Sequence, residues 1–122
     1  MTLDFNAVDP TVVPHFKGGA GEAHVRTAVA DGMGRILTLT LPAGSSIGLH
    51  THTGNCEIIH VLSGCGVCHD DGMDVPLTAG MTHYCPEGHT HGIDNTLKNR
   101  SFSTKCRSWS PVNTVVPANK TR

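Results

Sequence analysis

The chain has 122 residues, of which 38% are apolar and 16% charged, with a formal net charge of -1. That length accommodates one domain around a single core, and so sparse and balanced a charge offers no basic surface for nucleic acid. No apolar run is long enough to cross a bilayer, so the expected partner is a small molecule, with neither nucleic acid nor membrane involved.

Residues 1–21 carry Pro10, Pro14 and the run Gly18-Gly19-Ala20-Gly21, and read as an irregular lead-in lying over the domain. Residues 22–110 read as the folded domain. His24–Ala30 has strand composition, and Asp31-Gly32-Met33-Gly34 is a turn. Arg35–Leu41 alternates strictly, with Ile36, Thr38 and Thr40 on one face and Leu37, Leu39 and Leu41 on the other. A strand carrying His50 and His52 follows, then a polar turn and Glu57–Ser63. Gly66–Asp70 and Met73–Leu77 flank Asp71-Gly72, a dipeptide suited to a type I′ hairpin. Met81–Cys85, His91–Asn95 and Ser101–Ser108 complete the strands, and the tail, residues 111–122, reads as loosely held. Nothing shows a sustained helical period. Short strands broken by Gly, Pro and Asp indicate an all-β sandwich or barrel.

Histidine is the compositional anomaly, with nine in the chain. His50 and His52 lie two residues apart, so on a strand their imidazoles share a face. A strand returning after the Thr53–Cys56 turn can bring Glu57 to the same point, and His91 supplies a third imidazole. Clustered without partners in a barrel interior, such groups would cost roughly 1–3 kcal/mol each. A cation removes that cost. The expectation is a mononuclear site of His50, His52, Glu57 and His91, whose donors suit Mn, Fe, Ni, Zn or Cu.

The residues also carry a family pattern. Gly44, His50, His52, Glu57 and Gly64 fit G-x5-H-x-H-x4-E-x6-G, and Gly80, Pro86, Gly88, His91 and Asn95 fit G-x5-P-x-G-x2-H-x3-N. With residues 65–79 as spacer, the chain resembles a small single-domain bacterial cupin. The resemblance implies a double-stranded β-helix, a jelly-roll-like barrel. One divalent metal would lie inside it, held by His50, His52, Glu57 and His91, with open coordination positions. It also implies a homodimer made through N-terminal strands. Met81 stands where relatives carry Asp, which removes a turn-capping hydrogen bond. The family spans dioxygenases, oxalate-type decarboxylases, sugar isomerases, lyases and non-catalytic binders, so it argues for fold and metal more than for reaction. The expected function is a metal-dependent enzyme, with the ion as Lewis acid on a small carboxylate or sugar acid. The alternative is a metal-loaded binding module without turnover.

Other residues are candidates for the site or its surroundings. Arg26 lies on an otherwise nearly neutral strand and would suit a carboxylate ligand, against the alternative of an exposed edge-strand arginine. Tyr84 and Glu87, beside the second motif, are candidates for proton transfer. His60 is an odd step from Glu57 and should point away from the metal, while His83 could orient His91 from behind. Cys65-Gly-Val-Cys68-His69 spells a haem-attachment sequence, but on a strand its cysteines face opposite sides. Five scattered cysteines do not resemble a disulfide framework. With an N-terminus unlike a signal peptide, they suggest the cytoplasm.

Overall fold

Alternation in one strand sets the frame for the rest. Along Gly34–Leu41, Leu39 and Leu41 are 3% and 0% exposed, whereas Thr38 and Thr40 line a depression on the opposite face. The structure, a computed structural model, describes residues 1–109. In chain order the strands are β1 (Thr11–Pro14), β2 (Glu22–Asp31), β3 (Gly34–Leu41), β4 (Ser46–Thr51) and β5 (Cys56–Ser63). There follow β6 (Cys65–Asp70), β7 (Met73–Thr78), β8 (Thr82–Cys85), β9 (Thr90–Asp94) and β10 (Phe102–Trp109). Each strand expected from the sequence is present, with small shifts at its ends. The fold is the all-β barrel that the resemblance implies.

Two antiparallel sheets enclose the core. One has six strands in the order β1-β2-β3-β10-β5-β8, and the other four in the order β4-β9-β6-β7. Leu39, Leu41, Ile59, Val61 and Phe102 from the first sheet meet Ile47 and Ile93 from the second. Asn95 closes one corner: its amide donates to the carbonyls of Leu41, Pro42 and Arg100. Its motif position is thereby structural.

The lead-in differs from the expectation. Within residues 1–21 the chain forms β1, an edge strand pairing Thr11–Pro14 with Val25–Glu22. Its terminal Pro14 is compatible with an edge, where a missing N–H is tolerated. The chain then turns through Phe16–Gly18, with His15 and Lys17 both in the left-handed region. The tail from 111 to 122 lies outside the described residues.

Candidate metal centre

His50 owes its direction to an irregularity. Ile47 pairs with Ile93 and His50 with His91, so three steps along β4 match two along β9. This bulge carries one extra residue. Ile47 is a core residue, and simple alternation would therefore turn His50 outward. The bulge turns it inward. His52 lies just past β4, held by its own N–H to the His89 carbonyl and by the Gly88 N–H to its carbonyl. The second motif's turn thus clamps the first motif's ligand. Glu57 sits on β5 with the inward parity of Ile59 and Val61, and His91, on β9, is 1% exposed.

One donor atom from each of His50, His52, Glu57 and His91 lies within 4.8 Å of all the others. The Nε2 atoms of His52 and His91 are 2.9 Å apart, and those of His91 and His50 3.2 Å. Glu57 Oε1 is 3.3 Å from His52 Nε2 and 3.1 Å from His91 Nε2. Donors at right angles around an ion, with bonds of about 2.1 Å, stand about 3.0 Å apart, and tetrahedral ones about 3.4 Å. The spacing fits a single ion.

Hydrogen bonds behind the rings fix what the inner nitrogens present. His50 Nδ1 donates to the Gly48 carbonyl at 2.8 Å, and His52 Nδ1 to Asn55 Oδ1 at 2.6 Å. Neutral rings so held carry lone pairs on Nε2. His91 Nδ1 is 2.9 Å from Nε2 of buried His83. Lone pairs and a carboxylate thus converge where no proton can satisfy them all, and a cation does.

Electrostatics favour the ligating forms of Glu57 and His50 and pull His52 the other way. Burial alone would raise the Glu57 carboxyl, but the imidazoles of His52 and His91 beside it outweigh burial and hold the pKa at about 2. Burial lowers His50 and favours its neutral, ligating form. His52 is raised, chiefly by its hydrogen bond to Glu57.

The centre opens into a cavity of about 240 Å³ whose walls include Leu37, Leu39, Ile47, Ile59 and Ile93. Phe16, Lys17, Arg35, Asn55 and Ser108 also reach it.

Several expected residues lie elsewhere. Arg26 does not enter the cavity: it pairs with Thr38 on the outer face of the six-stranded sheet and donates to the carbonyls of Phe5 and Val8. Parity decides this, because Ala23 and Val25 take the inward positions of β2. Tyr84 is 52% exposed and stacks on Trp109, since Cys85 and His83 point inward from β8. Glu87 accepts from the Gly54 N–H and braces the turn before Asn55. His60 bonds Thr82 on the outer face. Cys68 is buried and His69 lies between Asp74 and Asp94, so the haem-like sequence is an ordinary strand. Cys85 with His83 and His91 makes a second buried donor group, but it shares His91, and the His83–His91 hydrogen bond already occupies it.

Sequence reasoning missed Arg35, Lys17 and Asn55. Arg35 shares the parity of Leu37, Leu39 and Leu41, a signal that was available. Lys17 reaches the cavity through long-range packing of the lead-in, which has no local signature.

Comparisons with known proteins agree with this architecture. The cupin domain family matches residues 37–100, more than half of the chain. An oxalate-binding protein from Thermotoga maritima is 38% identical over 101 residues, covering 79% of this chain and 84% of the relative. A crystal structure described as a predicted oxalate decarboxylase from Thermotoga maritima superposes with a TM-score of 0.85 at 31% identity, covering 90% of this chain and 99% of that one. KdgF from a Halomonas species matches with a TM-score of 0.73 at 16% identity, over 88% of this chain and 92% of that one. This last likeness speaks to the fold alone.

Proposed function

This chain belongs to the cupin family, and on that premise we propose that His50, His52, Glu57 and His91 hold one divalent transition-metal ion that engages a small carboxylate. The observation that carries the reading is the convergence of four donors within 4.8 Å at the base of an apolar-walled cavity. The bound ion supplies a Lewis acid for carboxylate oxygens. Asn55, Gly48 and His83 orient the imidazoles, and the leucine and isoleucine walls restrict water and strengthen charge interactions inside. The oxalate-related relatives support a small carboxylate, of which oxalate is the first to test. We read the protein as an enzyme of the decarboxylase, dioxygenase or isomerase type.

A second reading, a metal-loaded binding module, is favoured by one observation. Among the described residues lining the cavity, Glu57 is the sole carboxylate, and it belongs to the ligand set. Incubating metal-quantified protein with small carboxylates and sugar acids, with and without dioxygen, separates the two readings. Turnover abolished by a chelator supports the enzyme; tight binding without product supports the module. We further propose a homodimer made through the N-terminal strands, where β1 is the edge of the six-stranded sheet. Light scattering that returns a monomer mass overturns it. The five free thiols support a reducing, cytoplasmic location, which fractionation of the native cells checks.

A further inference from the structure

Two cations reach the cavity without serving the ligand set, Arg35 and Lys17. Arg35 pairs with Ser108, and Ser108 with Glu57, in one inward-facing row across β3, β10 and β5. At about 4.8 Å per strand, the Arg35 backbone stands about 10 Å from that of Glu57. The Arg35 side chain is exposed and borders the cavity that holds the metal centre. Lys17, also exposed and with its Nζ 5.8 Å from the centre of the Phe16 ring, borders the same cavity from the lead-in. Its carbonyl packs so closely on β4 that a Cβ at Gly48 would lie 2.1 Å away, and the Gly48 carbonyl is the group that orients His50. Lys17 is thereby fixed relative to the ligands, in a left-handed conformation that non-glycine residues adopt only when their surroundings impose it. Its charge is felt at His52. Among the described residues, neither cation enters an ion pair.

We propose that Lys17 and Arg35 form an anion clamp over the metal centre, selecting ligands with two anionic groups, one for the ion and one for the clamp. The inference rests on the metal-site reading above and adds a charge class to its ligand. A divalent ion with Glu57 leaves one net positive charge, and the clamp adds two. A monoanion satisfies the ion and leaves both exposed cations without an anionic partner; a dianion answers both ends. Arg35 suits the second group because its planar fork meets a carboxylate through two parallel hydrogen bonds.

The test is calorimetry on metal-loaded protein with oxalate, malonate and acetate. The wild type should bind the dicarboxylates well ahead of acetate. Arg35→Gln and Lys17→Gln should each weaken dicarboxylate binding roughly tenfold, leave acetate unchanged and retain full metal content. Arg107→Gln, whose guanidinium stacks on Trp109 instead, should behave as wild type. Equal losses for acetate and dicarboxylates, no loss, or loss of metal in the variants overturns the clamp. Wild-type protein that binds mono- and dicarboxylates alike also overturns the clamp and leaves the metal-site reading intact. Metal-loaded protein that binds none of the three overturns both.

Discussion

His91 is engaged at both ring nitrogens, and that makes His83 more than packing. Nε2 of His91 faces the other donors while Nδ1 meets His83, whose far nitrogen lies 3.9 Å from Asp70. Burial and the neighbouring His91 lower His83, which keeps it neutral and able to accept from His91. Such a partner fixes the ring and raises its basicity as a ligand. Replacing His83 with Phe keeps the volume and the four ligands but removes the acceptor. The expected outcome is metal affinity weakened about tenfold to a hundredfold, read by competition with a chromophoric chelator; unchanged affinity contradicts the relay. The pair spacing of His50 and His52 made the ligands legible from sequence. For Arg26 and Tyr84 the sequence left a site role and a structural one both open, and strand parity in the fold points both outward.

At the scale of elements, the bulge in β4 and the strap over it, the turn Phe16–Gly18 whose Lys17 carbonyl packs on Gly48, decide the site. Neither leaves a local mark in the sequence: the bulge is a register fact between β4 and β9, and the strap depends on β1 pairing with β2. Alternation in β3 and the Asp71-Gly72 turn, where both residues have positive φ, were readable because they depend on neighbours in the chain. Gly48→Ala forces the strap off β4 and should cost about 1–3 kcal/mol, as overpacking does. The midpoint of denaturant unfolding checks this, and an unchanged midpoint contradicts the close docking. A second element-level device ties three strands together. His69 of β6 lies 2.6 Å from Asp74 of β7 and 2.8 Å from Asp94 of β9, and the hydrogen bond to Asp94, then that to Asp74, raises its pKa above 6.5. A raised folded-state pKa gives stability that is fully present below the unfolded value and is lost as pH rises through the folded one. The stability gap between wild type and His69→Gln should therefore be wider at pH 6 than at pH 9. A gap independent of pH contradicts the pin.

Across the whole molecule, the barrel brings together donors from two distant motifs, so the proposed ion binding would be coupled to folding. Metal bound only by the folded chain stabilises it by about 2.7 kcal/mol when free metal is a hundred times its dissociation constant. Stripping the ion should lower the thermal midpoint, and returning it should restore the midpoint; an unaffected midpoint contradicts the coupling. The family and the barrel were legible in the sequence because ten motif positions sit in register over Gly44–Asn95. Lys17 at the cavity was not, since it comes from the lead-in outside the motifs, whereas Arg35 was marked by the parity of β3. The most direct measurement is the metal content of reconstituted protein by mass spectrometry, with circular dichroism confirming the fold of each variant. One ion per chain in wild type and in His60→Ala, and almost none in His52→Ala and His91→Ala, is the predicted result. Folded wild type that holds no ion, or His52→Ala and His91→Ala variants that hold as much as His60→Ala, would contradict it.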